Sequence, residues 1–352
     1  KFQEGRGGDE NALEIVAMVS GKSEQVWLSS PVDPMQYGSG ACEKWLVDLE
    51  NRMRDTICAE LRVAIEQYDV SGANIEERAG KRNTWLLNRA AQVVLAIDQL
   101  QWTAGAEQAL RSEGWKGLVG YCKELESFQM EVVKLVREPN LPKIHRSTLG
   151  ALLTLDVHGL DVIKELAKQR VSSVMDFEWT SQLRYYWYDE GLHVKIMNSD
   201  LAYGNEYIGN SGRLVITPLT DRCYRTLMGA LYLQYGGAPE GPAGTGKTET
   251  VKDLSKAISR QCVVWNCSDG LDAAAMAKFF KGLAAAGAWA CFDEFNRIPI
   301  EVLSVIAQQV SAIQVGIATQ QETLLFEGTT LKLNWNCAVF ITMNPGYAGR
   351  AD

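Results

Sequence analysis

Apolar residues set the rhythm of the first half of the chain. Trp45, Leu49, Met53, Ile57, Leu61, Ala64 and Tyr68 recur at spacings of three and four, which lays one stripe along a helix from about Ala41 to Tyr68. Leu86, Val93, Ile97 and Leu100 make a second stripe after the polar, glycine-containing break at Ser71 to Lys81. A third helix is predicted over Leu118 to Val136, stopped by Glu138-Pro139-Asn140-Leu141-Pro142, since proline cannot continue a helix interior. Ser147 is read as the cap of a fourth helix running through Lys168, and Asp176 as that of a fifth running through Trp187. The segment before Tyr203 therefore reads as mostly helical, a bundle or an elongated helical stack. Most of the tryptophans fall here, and their large area suits helix packing and a docking surface equally well.

The rhythm changes at Gly191. His193-Val194-Lys195-Ile196-Met197 alternates as a strand does, and Arg213-Leu214-Val215-Ile216 is a second short extended run. Thr220 or Asp221 opens an amphipathic helix to about Tyr235, and from Gly236 onward the pattern is βαβ. Helices are predicted at Lys247 to Ser259, Asp272 to Ala286 and Pro299 to Val310, and strands at Cys262 to Cys267, Ala288 to Phe292 and Ala338 to Met343. That alternation implies a parallel sheet with helices on both faces. Thr323 to Leu333 places Glu327-Gly328 between apolar runs, the mark of a β-hairpin. Gly236 to Glu240 is a poor strand by propensity, so the strand there should be very short.

Between that short strand and the next helix lies Gly241-Pro242-Ala243-Gly244-Thr245-Gly246-Lys247-Thr248, a complete phosphate-binding loop. The spacing G-x-x-x-x-G-K-T turns successive backbone N–H groups toward a β-phosphate. Lys247 then reaches the β- and γ-oxygens and Thr248 offers its hydroxyl to a magnesium ion. The helix that starts at the loop adds its N-terminal dipole. The acidic partner is Trp289-Ala290-Cys291-Phe292-Asp293-Glu294. Asp293 ends an apolar strand and is placed to coordinate magnesium, and Glu294 is the candidate general base, with a structural ion-pair partner as the lesser reading. Asn344, at the end of the last strand, can orient the attacking water or touch the γ-phosphate, because an amide donates and accepts without adding charge. Asn266 ends the Cys-Val-Val-Trp-Asn strand and is either an amide that holds Glu294 idle or a simple turn residue. Arg297 and Arg350 are present as cations, yet nothing in their spacing aims them at a γ-phosphate.

Composition narrows the class. The chain has 352 residues with 46% hydrophobic and 22% charged, room for two or three folded domains. A net charge of -8 argues against gripping nucleic acid by bulk electrostatics. No uninterrupted apolar run approaches a membrane span, and Lys1 to Glu10 carry no signal-peptide core, which points to an intracellular protein. Eight scattered cysteines are read as free thiols, including Cys262 and Cys267 at the two ends of one strand. His145, His158 and His193 fall in separate segments and suggest no metal cluster.

The assembled phrases carry a resemblance. Leu214 to Tyr224, Gly241 to Thr250, Cys291 to Arg297 and Phe340 to Arg350 resemble the first AAA+ module of the dynein heavy chain family, and Asp176 to Trp187 resembles the end of that family's linker, the lever ahead of the ring. The resemblance implies a helical linker segment over 1–190, a short connecting β segment over 191–212 and an AAA+ large subdomain over 213–352. It implies the phosphate-loop, magnesium, water-activating and sensor roles for Lys247, Thr248, Asp293, Glu294 and Asn344, and an adenine pocket that includes Val215, Pro218 and Leu219. ATP or ADP with Mg2+ would be the cofactors. Residues Ile298 to Gln309 are more similar to ciliary than to cytoplasmic transport dyneins. The family's function would be minus-end-directed movement on microtubules for ciliary beating, in the cytoplasm, the cytoskeleton and the axoneme of the cilium. Its partners would be the remaining AAA+ modules, microtubules through a stalk absent here, intermediate and light chains, and axonemal docking or regulatory proteins, with neither nucleic acid nor membrane. Since the chain stops at Asp352, ahead of the fifth strand and helical lid, it is expected to be a fragment, inactive alone. A non-motor AAA+ remodelling ATPase and a nucleotide-binding scaffold without turnover are the competing readings.

Overall fold

The computed structural model describes residues 2–6, 13–38, 42–267 and 273–345. The chain divides into two compact units, Lys1–Met197 with Ala202–Thr217, and Asn198–Leu201 with Pro218–Asp352.

The first unit opens on strands, where helix was expected. β1 (Phe2–Arg6), β2 (Leu13–Val19) and β3 (Gln25–Val32) form an antiparallel meander. The reason is visible in β3, where Val26, Leu28 and Val32 are buried and the residues between are largely exposed, a period of two that only a strand can satisfy. Five long or medium helices follow: α1 (Cys42–Glu66), α2 (Ile75–Leu87), α3 (Ala91–Glu113), α4 (Trp115–Val136) and α5 (Lys143–Lys168). α2 begins inside the supposed polar break. Asn74 caps it by accepting from the Glu77 amide at 2.8 Å, while the Glu77 carboxylate accepts from the Ala73 amide at 3.0 Å. α5 begins after Pro142, so Ser147 is an interior residue, and its hydroxyl donates to Asn210 Oδ1 at 2.8 Å.

The helix expected from Asp176 through Trp187 is also corrected. Only a single turn forms, α6 (Phe177–Thr180), and Arg184–Tyr188 becomes β4, which pairs antiparallel with β5 (Gly191–Ile196). Asp189 and Glu190 both take positive φ, 48° and 59°, and so make a two-residue hairpin turn of the primed kind. The aromatic run Tyr185-Tyr186-Trp187-Tyr188 favours the pleated surface over a helix once that partner exists. β6 (Ser199–Ala202) follows, and Arg213 to Ile216 joins no strand. Packing in this unit centres on Trp102, Leu118, Ile163 and Trp179, all buried, with the Trp102 and Trp179 rings 5.4 Å apart.

In the second unit α7 (Pro218–Tyr232) starts on its proline, two residues before the expected cap, because proline's fixed φ suits the first helical position. α8 (Lys247–Ala257), β7 (Cys262–Asn266), α9 (Ala273–Ala286), β8 (Trp289–Asp293), α10 (Ile300–Ala318), the hairpin β9 (Thr323–Phe326) and β10 (Thr329–Lys332), and β11 (Ala338–Ile341) complete it. The predicted start of α9 at Asp272 and the residue Arg350 lie outside the described residues. The sheet is parallel in the order β11-β8-β7. Phe280, Phe292, Ile306 and Ile313 are fully or almost fully buried in its core. α10 is long and apolar enough to cross a membrane by length and composition, although Glu301, Gln308, Gln309 and Gln314 interrupt its apolar run, and it lays Ile306, Ile313 and Ile317 into this core.

The strand ahead of the phosphate loop is as short as expected, two isolated parallel bridges from Gly237 to Phe340 and from Glu240 to Met343. Its glycines are there because of crowding. A Cβ on Gly236 would lie 1.9 Å from the Val339 carbonyl oxygen, and one on Gly237 would lie 2.3 Å from Leu227 Cδ2. Gly236→Ala is therefore expected to cost about 1–3 kcal/mol through forced displacement of β11, the range for overpacking a tight site. Urea unfolding checks this, and a midpoint equal to that of the parent chain would refute it.

Candidate functional site

The edge of the parallel sheet at the ends of β8 and β11 carries the site. Gly241, Gly244 and Gly246 hold φ of 152°, 77° and 81°, conformations that a side chain would strain, and they bend the backbone of the loop that enters α8. Gly246 caps α8 and Lys247 is its first residue, so the helix's unpaired amides open into the loop. The Thr245 hydroxyl donates to the Pro242 carbonyl at 2.9 Å and steadies the turn.

Lys247 sits in a cage of oxygens. Its Nζ donates to the carbonyls of Gly241 at 2.8 Å and Pro242 at 2.7 Å, and to Asn344 Oδ1 at 2.7 Å. Next to it, the Thr248 hydroxyl donates to Asp293 Oδ1, and Thr342 Oγ1 donates to that same oxygen at 2.6 Å. A hydroxyl and a carboxylate meeting at a helix start form a hard oxygen donor set, which fits a magnesium ion. Among the described residues no cluster of three or more His, Cys, Asp or Glu offers another metal site.

Glu294 follows β8 in a left-handed conformation, with φ of 55° and ψ of 48°, so its side chain leaves the strand direction and turns toward β11. Asn344 Nδ2 donates to Glu294 Oε1 at 3.0 Å, and Arg297 Nε lies 2.5 Å from Glu294 Oε2. Three sequence-predicted residues from separate segments, Lys247, Glu294 and Asn344, are thus joined through one amide. Asn266 stands opposite Asp293 in the register of β7 on β8 and is exposed. The amide in contact with Glu294 is that of Asn344.

Val215 and Leu219 are 71% and 64% exposed, and Pro218 is also exposed. Val215 belongs to the first unit, and Pro218 and Leu219 to the second. Cys262 is half-buried and Cys267 buried, and both are free thiols. Burial pushes the Cys267 thiol up to about 12, with the charges of Asp293 and Glu294 adding to it, so it is protonated and unreactive at neutral pH.

Sequence reasoning missed two residues here and gave a third no direction. Thr342 is 1% exposed, and besides its bond to Asp293 its oxygen accepts the Glu294 amide at 3.1 Å. Asn296, 5% exposed, donates from Nδ2 to the Asn344 carbonyl at 3.0 Å and so fixes the backbone there. Arg297 was seen without a direction, and the structure turns it onto Glu294. For Thr342 a signal existed, because it stands two residues before Asn344, and residues two apart in an extended strand share a face.

A glycine-rich loop opening a helix, beside an acidic strand end and a polar strand end of one parallel sheet, defines a P-loop nucleotide-binding module consistent with an AAA+ domain. Residues 203–352 match the family described as the hydrolytic ATP binding site of the dynein motor region, and that segment belongs to it. The chain is 53% identical over 340 residues to human dynein axonemal heavy chain 12, which covers 97% of this chain and 11% of the relative. It is likewise 53% identical over 340 residues to human dynein axonemal heavy chain 3, covering 97% of this chain and 8% of the relative, and 49% identical over 340 residues to the mouse dynein axonemal heavy chain 1, again 97% and 8%. The chain therefore spans about a tenth of the length of these relatives.

Proposed function

We propose that this chain is the part of an axonemal dynein-type motor in which ATP-Mg binds and is hydrolysed by a module joined in one chain to the lever that the reaction moves. The observation that carries the reading is the convergence of Lys247, Thr248, Asp293, Glu294 and Asn344 on one sheet edge, although they come from three separate stretches of sequence. Lys247 and the loop amides bind the phosphates, with Lys247 trading its carbonyl partners for phosphate oxygens. Thr248 and Asp293 would hold a magnesium ion, which would supply shielding of the phosphate charge. Glu294 accepts the proton of the attacking water, and Asn344 orients both that water and the base. Thr342 holds Asp293 in place through its hydroxyl. Pro218 and Leu219, both of the second unit, would supply apolar contact for adenine. The role considered for Asn266, an amide that restrains Glu294, has only its register position beside Asp293 in support.

The first unit takes the part of the linker's C-terminal region, and the second that of the first module's large subdomain. Nucleotide-dependent closure of the second would bias the lever between two packings, the covalent connection near Thr217 being the route. The similarity to axonemal heavy chains supports movement along microtubules in the axoneme, with further AAA+ modules and accessory chains as partners, over a stand-alone remodelling ATPase. Lys247→Ala tests the binding step. In the full-length heavy chain it should weaken ATP binding at this site by about tenfold or more, since a charge-assisted contact to phosphate is lost. Equilibrium titration with a fluorescent ATP analogue measures it, and unchanged affinity would remove the phosphate-binding role.

A further inference from the structure

We infer that Asn296 is a positioning residue for turnover: its buried amide fixes the backbone of Asn344 and, through it, the side-chain amide that Asn344 presents to the site. The inference rests on the ATPase reading above and adds a residue to it.

The segments that follow β8 and β11 brace each other in both directions. From the β11 side the Thr342 hydroxyl reaches Asp293 Oδ1 at 2.6 Å, and from the β8 side Asn296 Nδ2 reaches back to the Asn344 carbonyl at 3.0 Å. The backbone between these bonds is paired as well. The Thr342 amide donates to the Phe292 carbonyl and the Phe295 amide to the Thr342 carbonyl, both at 2.9 Å. Met343 is held from the phosphate-loop side, its amide donating to the Pro239 carbonyl at 3.2 Å and its carbonyl accepting the Gly241 amide at 3.3 Å. Asn344 lies one residue past these bonds, and the next residue, Pro345, has no N–H with which to extend the ladder. The Asn296 side chain takes over there and holds the Asn344 carbonyl.

Asn344 needs such a hold because its side chain makes two bonds of opposite kind. Oδ1 accepts from Lys247 Nζ at 2.7 Å, and Nδ2 donates to Glu294 Oε1 at 3.0 Å. A planar amide serves both partners in one orientation, and the backbone beneath it sets that orientation. Asn296, by contrast, is a poor choice for stability alone. It is buried, and its Oδ1 has no hydrogen-bond partner among the described residues. An unpaired buried acceptor is costly, and an apolar side chain of similar size would avoid that cost. What the amide supplies and an apolar side chain does not is the bond to Asn344.

The test is kcat and ATP affinity of the full-length heavy chain for Asn296→Leu, Asn296→Ala, Asn344→Ala and the double variant Asn296→Leu with Asn344→Ala. Asn296→Leu keeps the bulk and loses the donor. It should lower kcat about 10- to 100-fold, the scale on which a displacement of about 1 Å is felt in a reacting geometry, while ATP affinity stays within about threefold. Asn296→Ala should show the same split, and retained affinity certifies that the site has folded. In the Asn344→Ala background, adding Asn296→Leu should lower kcat by less than about twofold more, because the amide it positions is already gone. An unchanged kcat in both Asn296 variants, lost ATP affinity in both, or the same fold loss with and without the Asn344 side chain would overturn the inference. If Asn344→Ala lowers kcat while the Asn296 variants do not, only the positioning role fails. If Asn344→Ala leaves kcat as it was, the role read for Asn344 in hydrolysis fails with it.

Discussion

Glu294→Gln should abolish ATP turnover at this site while leaving nucleotide bound, with an expected loss of about 10²- to 10⁴-fold in the single-turnover rate, the usual contribution of a positioned general base. The structure explains why binding should survive. Glutamine is isosteric, its carbonyl oxygen can still accept from Asn344 Nδ2, and the left-handed backbone at Glu294 is no harder for glutamine than for glutamate. Asp293, Thr248 and Lys247 keep their own contacts, so neither the phosphate cradle nor the metal's donor set depends on the replaced group. What disappears is proton affinity, since an amide oxygen cannot take a proton from water at neutral pH. Phosphate release in a quenched single-turnover assay on the full-length chain, paired with an ATP titration, separates the two effects. A rate loss under tenfold would mean that the base has been misassigned, and a lost affinity would mean that Glu294 is structural.

The parts of this site legible in sequence are those whose meaning is local. The phosphate loop is eight contiguous residues, and its glycines are required by backbone angles that any reader of the spacing can anticipate. Asp293 and Asn344 were legible because each ends a short apolar run, and such runs in a βαβ pattern deliver their C-terminal residues to one edge. Arg297 was illegible as to direction, because a 3-10 turn after a left-handed residue re-aims side chains in a way that no periodicity encodes. The meander β1 to β3 and the strand β4 were read as helical territory for a related reason. Strand identity depends on a partner found elsewhere in the chain, as Tyr185 finds Val194 and Ala17 finds Trp27, while a helix's stripe is self-contained. Gly236 shows the converse. By propensity it argues against a strand, and in the fold it is what lets that strand lie against Val339.

Charge burial in the helical unit was wholly hidden, since Arg82, Asp98 and Asp156 lie on three different helices, and it leads to the largest stability effect expected here. Their side chains are 5%, 8% and 14% exposed. Arg82 Nη2 lies 2.5 Å from Asp98 Oδ1 and 3.5 Å from Asp156 Oδ2, the second near enough for ion pairing but not aligned for a hydrogen bond. Burial, with the charge of Asp98 adding and that of Arg82 opposing, pushes the Asp156 carboxyl well above its usual range. Arg82→Met keeps the volume and removes the only cation on the two acids among these three groups, so it should cost about 3–5 kcal/mol, the penalty for stranding buried charge. Arg82→Met with Asp98→Asn should recover much of that loss, because one of the stranded charges goes with it. The sign of the pH dependence follows from Asp156. A carboxyl whose folded pKa is raised stabilises the fold fully below its unfolded value, and this is lost as pH rises through the folded one. Without Arg82 that folded value moves higher still, so the variant's deficit should be greatest at neutral pH and above and should shrink on acidification. Urea unfolding of parent, single and double variants across that pH range measures all three statements. A deficit below about 1 kcal/mol, the scale of an exposed pair, would show that solvent reaches the cluster and that its charges are not held by one another.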